Sequence, residues 1–157
     1  MSAAVAVFQT RRVKGEAVAT RHPTRRNCIQ IRVKFSALPK GDHGFHIHKA
    51  GDLRGDGCKG ACDHYHIGDH QDHGGAPITR KARRNERNAR HTGDLGNIRG
   101  PRFTRTYTVP RVKVADLWGR SLIVHEDVDD LGQGPYADSK ITGHSGKRIA
   151  CAIWGRG

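Results

Sequence analysis

The sequence contains no long hydrophobic run, and no stretch approaches the roughly 18 apolar residues of a membrane-spanning helix. The first eight residues, Met1–Phe8, have no basic segment ahead of their apolar stretch, so they lack the pattern of a secretion signal. Four cysteines are too few for the disulfide framework of a small secreted protein. We therefore expect no membrane contact and a cytoplasmic location, or the host cytoplasm if the source is viral.

Aromatic and acidic residues are also scarce. Aromatic side chains make up 6% of the chain, which argues against a stacking platform for single-stranded nucleic acid. The 15 acidic residues stand against 28 lysines and arginines, for a net charge of +13. That charge fits an anionic substrate, nucleic acid or another polyanion, but also a merely solvated basic surface. At 157 residues the chain fits one domain, which we place at residues 1–157.

Glycine, in contrast, is abundant, and its 20 residues favour many turns and short strands. The segment Ile29–Phe35 alternates strictly between apolar and polar residues, which predicts a half-buried strand. Pro110 places its own strand at a sheet edge or a bulge. With no helical pattern, about eight strands predict an all-β barrel or sandwich. The remaining predicted strands are Ala3–Gln9, Gly15–Arg21, Gly44–His48, Leu95–Arg99, Phe103–Thr108, Val109–Ala115, Leu122–His125 and Arg148–Trp154.

Two long segments, Lys49 to about Arg90 and Glu126–Gly146, show no regular period and are rich in glycine and aspartate. Irregular segments of this length are uncommon inside a compact domain. Metal ions and a disulfide would make them plausible, because metal binding contributes free energy to folding.

Histidines supply candidate ligands. His46 and His48 are two residues apart on a predicted strand, so they project from the same face. Imidazole is the ligand type that copper and zinc share, although such a pair alone could be an incidental polar face. Further histidines, several beside aspartate or glycine, favour the metal site: His64, His66, His70, His73, His91 and His125.

Five segments occur along the chain in this order: Gly44–His48, His73–Gly75, His91–Asn97, Val124–Glu126 followed by Asp129–Gly132, and Gly146–Cys151. Their residues and their order resemble the copper/zinc superoxide dismutase family. The resemblance implies an all-β, eight-stranded antiparallel Greek-key barrel with long metal-binding and electrostatic loops. It also implies antioxidant defence, in which copper redox cycling converts superoxide into oxygen and hydrogen peroxide beside a structural zinc. A homodimer and a copper chaperone are the further partners that it suggests.

The resemblance assigns roles residue by residue. His64 would bridge the two metals and carry a proton, and Arg148 would hold the superoxide anion. Asp129 would link a copper histidine to a zinc histidine. Histidine donors suit copper, whereas a mixed histidine and aspartate set suits a structural zinc. The implied copper ligands are His46, His48, His64 and His125, and the implied zinc ligands are His64, His73, His91 and Asp94, with His66 and His70 as alternative zinc ligands.

Cys58 and Cys151 match the disulfide of the family. Cys62 occupies a position where the family usually has glycine, so it could compete for Cys151 or remain a free thiol, and we expect the free thiol. Cys28 is expected to be an inert structural thiol.

Other positions depart from the family or bear on its partners. The basic segment Ala76–Arg90 is longer than usual, and its residues Arg80–Arg90 form either a solvated excursion or a contact for a polyanion. The dimer contact of the family would lie near Gly51, Gly119 and the C-terminal strand, beside Trp118, Ile153 and Trp154.

Two other functions remain open at this point. A metal-binding module could keep the scaffold without turnover, but the copper ligands and Arg148 are all present. A basic nucleic-acid-binding protein is disfavoured by the low aromatic content.

Overall fold

The computed structural model describes residues 1–77 and 90–157, and among them it contains nine β-strands and two one-turn α-helices. The helices are α1 (Val114–Leu117) and α2 (Ser139–Thr142), and Lys59–Ala61 forms a short 3-10 turn. In this part of the chain, neither helix is long and apolar enough to cross a membrane. The strands are β1 (Ala3–Gln9), β2 (Lys14–Arg21), β3 (Cys28–Ala37), β4 (Gly41–His48), β5 (Asp94–Gly100), β6 (Phe103–Pro110), β7 (Ser121–His125), β8 (Arg148–Ile153) and β9 (Gly155–Arg156).

The strands form two sheets with the orders β6-β3-β2-β1-β9 and β5-β4-β7-β8. Their pairings are antiparallel, which confirms the predicted all-β antiparallel fold. The strand that contains Pro110 lies at a sheet edge, as its missing N–H requires. The chain crosses between the sheets after β3, β5, β6 and β8, as in a Greek-key arrangement.

The core lies between the two sheets. Ile29, Ile31, Val33 and Phe35 on β3 are each at most 2% exposed, and this alternation confirms the half-buried strand. Phe35 contacts Phe45 of β4 edge-on, with ring centroids 5.7 Å apart, so aromatic packing joins the sheets.

One strand, β4, is buried on both faces from residue 43 to residue 48. Phe45 and Ile47 belong to the core, whereas His46 and His48 face the opposite side and are buried as well. Since β4 and β7 are the two central strands of their sheet, they offer a rigid base for the residues above it.

The predicted strand Val109–Ala115 is wrong. Val109 and Pro110 end β6, and Arg111 then adopts a left-handed conformation with φ of 60° that a strand cannot continue. Val114 and Leu117 are both buried, and their spacing of three residues suits one turn of helix. Asp116 caps that turn by accepting a hydrogen bond from the Lys113 backbone N–H.

Candidate metal centre

Four buried histidines meet above the outer face of the β4 and β7 strands. His46 and His48 come from β4 and His125 from the end of β7. His64 comes from the first long loop and is placed by a backbone bridge to His48. Each of the four offers a ring nitrogen within 4.8 Å of the others, and all four residues are buried. The structure thus brings together the four predicted copper ligands.

The second nitrogen of each ring is held by a neighbour. His46 Nε2 donates to Asp129 Oδ2 at 2.7 Å, and His48 Nδ1 donates to the Cys62 carbonyl at 2.7 Å. His125 Nδ1 donates to the Gly146 carbonyl at 3.2 Å. His64 Nδ1 lies 2.9 Å from Asp94 Oδ1. These contacts fix the orientation of the rings, as is usual for histidines that bind a metal.

The nitrogens that remain converge without partners. Among residues 1–77 and 90–157, no hydrogen bond reaches His46 Nδ1, His48 Nε2, His64 Nε2 or His125 Nε2. Buried polar atoms are normally paired, because an unpaired one costs about 1–3 kcal/mol. Four unpaired imidazole nitrogens in one cluster therefore fit a copper ion, which takes nitrogen ligands.

A second group gathers on the carboxylate of Asp94. Asp94 Oδ1 lies 2.9 Å from His64 Nδ1 and 3.0 Å from His73 Nδ1, and Asp94 Oδ2 lies 3.4 Å from His91 Nδ1. The residues with ligand atoms within 4.8 Å of one another are His46, His64, His73 and Asp94. The group includes His46 and not the predicted ligand His91, whose ring centroid lies 5.4 Å from that of His64. This mixed set of imidazole and carboxylate donors fits zinc.

The two alternative zinc histidines lie outside this group. The side chain of His70 is 89% exposed and lies 3.6 Å from Asp72. His66 Nδ1 accepts a hydrogen bond from the Thr92 backbone N–H, and its ring centroid is 5.6 Å from that of His91. The geometry therefore favours His73 over His70.

Asp129 connects the two groups. Its Oδ1 accepts from His73 Nε2 at 2.7 Å, while its Oδ2 accepts from His46 Nε2. Asn97 holds this residue in place through two hydrogen bonds with the Asp129 backbone, of 2.7 and 2.9 Å. A side chain at Gly143 would collide with both Asp129 and His73, so glycine is needed there.

Burial and neighbouring charges set the protonation of these groups. Burial lowers the pKa of His46 and His48 well below the ordinary value, and it lowers the pKa of His125 to about 3. These rings are therefore neutral near pH 7, with lone pairs free for a metal. Burial also opposes protonation of His73, but hydrogen bonds to Asp129 and Asp94 outweigh it and raise the pKa of His73 to about 9.

The predicted disulfide Cys58–Cys151 is present, and Cys62 and Cys28 are free thiols, as expected. Arg148 donates to the Cys58 carbonyl at 2.8 Å and to the Cys62 carbonyl at 2.7 Å. His48 donates to the same Cys62 carbonyl. The loop that contains Cys58 and Cys62, which we name the disulfide loop, therefore positions the side chains of both Arg148 and His48. A cavity of about 180 Å³, lined by Arg148, His64 and Thr142 among others, opens beside them.

Arg90 corrects the expectation of a basic contact surface over Arg80–Arg90. It is 1% exposed, and its guanidinium donates to the carbonyls of Gly75, Thr92 and Asp94 at 3.0, 2.8 and 2.7 Å. The guanidinium therefore lies inside the first long loop, bonded to backbone carbonyls, and is not part of the exposed surface. Residues 80–89 lie outside the described part of the chain, so their contact with a polyanion stays a prediction.

Known proteins resemble this chain over most of its length. A structure of the clock protein EA4 superimposes with a TM-score of 0.77 and 31% identity, covering 98% of this chain and 93% of that one. The extracellular superoxide dismutase [Cu-Zn] of Drosophila melanogaster is 39% identical over 149 residues, which span 91% of this chain and 76% of that protein. The copper chaperone for superoxide dismutase of Mus musculus is 45% identical over 129 residues, but these span only 43% of its length.

These names contradict the predicted cytoplasmic location. Relatives from Haemonchus contortus and Caenorhabditis elegans, each 39% identical, are also named extracellular superoxide dismutases. The expectation rested on composition and on the first eight residues, and neither determines where a folded chain is delivered.

The family is settled by a match along the sequence. The family model for copper/zinc superoxide dismutase matches residues 13–154, which include the four histidines of the first group and the residues gathered on Asp94. Copper and zinc are the cofactors that the two ligand groups fit. The chain therefore belongs to the copper/zinc superoxide dismutase family.

Proposed function

We propose that this protein is a superoxide dismutase whose copper ion is held by His46, His48, His64 and His125. The observation that carries the proposal is the convergence of four buried ring nitrogens without hydrogen-bond partners in the described residues. When bound, copper supplies the one-electron chemistry that converts two superoxide anions into oxygen and hydrogen peroxide.

His64 has a second role in this proposal, since it would hold a zinc ion together with His73, His91 and Asp94 as well as the copper ion. Its Nδ1 faces Asp94, while its Nε2 faces the other three histidines. The Asp94 contact keeps the ring oriented, so that Nε2 can take up a proton and pass it to the reduced product. A protonated ring at this place is disfavoured by burial, which lowers the pKa of His64 and favours release of the proton.

Arg148 binds the anion in this proposal. A guanidinium has five N–H groups, and the two hydrogen bonds to backbone carbonyls leave others for a substrate. Because those carbonyls belong to the disulfide loop, the positive charge is fixed at the cavity that His64 also lines. A fixed charge beside a cavity raises the encounter rate with a small anion.

The experiment that tests the copper assignment replaces one ligand. We expect His125→Ala to lose copper and nearly all superoxide consumption while it keeps its zinc, because His125 belongs to the copper group alone. His144→Ala is the matched control, since His144 is exposed and contacts Asp138 and Tyr136 instead. Full activity in His125→Ala protein without copper, by elemental analysis, would exclude the assignment.

The second candidate is a copper carrier without turnover. It is favoured by the 45% identity with the mouse copper chaperone, which exceeds the 39% identity with the fly enzyme. A carrier would transfer its copper to a copper-free acceptor. It would consume only about one or two superoxide anions for each copper ion that it holds.

The surroundings of the enzyme are also proposed here. We propose that it acts outside the cell, as the fly and nematode relatives are named, and that a copper chaperone loads it.

We further propose a homodimer formed around Gly51, Gly119 and Ile153, where Ile153 is 43% exposed. Trp154 is buried in the core, whereas Trp118 is partly exposed and only its indole N–H is occupied, by the Ala3 carbonyl. Sedimentation of Ile153→Asp protein tests the dimer.

A further inference from the structure

A cavity of about 350 Å³ opens in the first long loop, and we name it the His70 cavity after one of its lining residues. His64 and His91 are part of its lining, so the cavity connects solvent with the residues gathered on Asp94. Asp69 and His70 belong to the lining as well, and both are exposed. The cavity thus joins exposed and buried groups of the kinds that bind zinc.

The two histidines that lie outside the zinc group differ in what they can bind. His66 Nδ1 accepts a hydrogen bond from the Thr92 backbone N–H at 3.1 Å, so in the neutral ring the proton is on Nε2 and no lone pair remains for a metal. His70 Nε2 lies 3.6 Å from Asp72 Oδ1, which is beyond hydrogen-bond distance. Because its side chain is also exposed, His70 can rotate and offer a ring nitrogen to a cation.

His91 lies between the cavity and the buried part of the zinc group. Its side chain is 14% exposed, and its Nδ1 lies 3.4 Å from Asp94 Oδ2. Among residues 1–77 and 90–157, no hydrogen bond reaches that nitrogen. Since His91 both lines the cavity and faces Asp94, it can receive a cation from the solvent side and hold it against the buried carboxylate.

The other opening of the metal centre is unfavourable for a cation. The cavity of about 180 Å³ is lined by Lys140 and by Arg148, whose guanidinium is held in place by two backbone carbonyls. Positive charges that attract superoxide repel a metal ion at the same place. A cation therefore gains from entering on another side.

The positive groups of the His70 cavity, in contrast, have partners. Lys49 Nζ lies 3.9 Å from Asp63 Oδ2. The guanidinium of Arg120 donates to the Lys49 carbonyl at 2.8 Å and lies 3.9 Å from the centroid of the Tyr65 ring. Asp69 forms no ion pair in the described part of the chain, so its carboxylate is available to a cation.

We propose that the His70 cavity is the entrance through which Zn²⁺ reaches the zinc group, with Asp69 and His70 as the first side chains to bind it. This inference rests on the zinc assignment made above. The Asp69 carboxylate and the His70 imidazole replace water on the arriving ion, and His91 then takes it over. Neither Asp69 nor His70 belongs to the final ligand set, so they change the rate of zinc binding and leave its equilibrium affinity unchanged.

The test measures zinc uptake by the full chain, loaded with copper and depleted of zinc, in a stopped-flow experiment with a zinc-sensitive dye. We expect Asp69→Asn/His70→Ala to take up Zn²⁺ about tenfold more slowly, and to release it to a chelator more slowly by the same factor, because an entrance lowers the barrier in both directions. The matched control is Asp138→Asn/His144→Ala, which removes an exposed aspartate and histidine that lie 2.6 Å apart on the second long loop. It should take up zinc at the rate of the parent.

The two side chains can also be tested separately. At a pH where the ring is neutral, His70→Ala removes a ligand and no charge, so it should slow uptake at every salt concentration. Asp69→Asn should slow uptake mainly at low salt, since salt screens the attraction of an exposed carboxylate. Copper content equal to that of the parent shows that each variant is folded, and His70→Ala alone suffices if the double variant is not.

Unchanged uptake in the double variant, or equal slowing in the control, would overturn the entrance. A loss of equilibrium zinc affinity in His70→Ala would overturn it too, because His70 would then be a permanent ligand. If the parent itself binds no zinc, the zinc assignment fails and the entrance fails with it. Tight zinc binding by the parent with equal rates in the double variant would overturn the entrance alone.

Discussion

At the residue scale, the chemistry of the centre depends on which nitrogen of each imidazole carries the proton. Asp129 settles this for His46 and His73 together, since each of its oxygens accepts from one Nε2 atom at 2.7 Å. The Nδ1 atom of His46 is thereby left with a lone pair on the side where a metal would bind, and that of His73 becomes available once a metal displaces the proton that it shares with Asp94. A carboxylate that links two ligands in this way couples the two metal groups.

Replacing this carboxylate tests the coupling. We expect Asp129→Asn to weaken binding of both copper and zinc by about 10–100-fold, because the amide cannot accept from both rings and the tautomers are no longer fixed. Competition with chelators of known affinity measures the loss. Asp127→Asn, an exposed position two residues away, is the control and should bind normally. A variant that loses one metal and keeps full affinity for the other would contradict the bridging role.

Individual residues also show how much of the metal centre could be predicted from the sequence. The five motifs contain Asp129 and the clustered histidines except His64, which was assigned through the resemblance alone, because side-chain type and order carry that information. They did not predict that Arg90 is buried or that Asn97 accepts a hydrogen bond from the Asp129 backbone N–H. They also did not predict that His48 and Arg148 both donate to the Cys62 carbonyl. These contacts depend on backbone atoms, whose direction is set by the path of a loop and not by the identity of a residue. Only the position of Arg90 next to the predicted ligand His91 could have suggested that this arginine belongs to the metal centre.

At the scale of elements, hydrogen bonds of Arg90, Asp94 and Asp129 hold the described parts of the two long loops. Alternation in β3 predicted its buried face correctly, since a strand against a core has a simple period. The segment after β6 was misassigned because Val112 and Val114 also alternate, while the left-handed Arg111 that ends the strand has no marker in its residue type.

Arg90 provides the prediction for the first loop. Arg90→Ala leaves three inward carbonyls, of Gly75, Thr92 and Asp94, without their donor. We expect the free energy of unfolding to fall by about 3 kcal/mol or more, with weaker zinc binding, since Asp94 is among the affected residues. Denaturant unfolding with and without zinc measures both effects. Arg99→Ala removes an exposed arginine and should cost less than about 1 kcal/mol. Equal losses in the two variants would show that Arg90 does not order the loop.

At the scale of the whole molecule, the metal-free protein carries a set of buried histidines whose pKa values are shifted in opposite directions. Burial lowers the pKa of His46, His48 and His64, and that of His125 to about 3. The folded state therefore binds fewer protons than the unfolded state below about pH 6.5, where an unfolded histidine titrates. Because the pKa of His73 is raised to about 9, the folded state binds more protons than the unfolded state between about pH 6.5 and pH 9.

This asymmetry predicts a maximum in stability for the metal-free protein near pH 6.5. Stability should fall as the pH drops from 6.5 toward 3, because unfolding releases the four neutral rings to take up protons. It should also decline as the pH rises through 9, because His73 then loses the proton that it shares with Asp129 and Asp94. Urea midpoints across that range measure the profile. A metal-free stability that rises steadily from pH 6.5 to pH 10 would contradict the assignment for His73.

The most direct test of the account is the amount of superoxide consumed per copper ion. Protein loaded with copper and zinc is exposed to superoxide in large excess, and both the bound copper and the hydrogen peroxide formed are counted. We predict many turnovers per copper, about one peroxide for every two superoxide anions, and a rate that falls sharply in Arg148→Gln at every salt concentration. Consumption that stops after one or two equivalents per copper would contradict a superoxide dismutase and would favour a copper carrier.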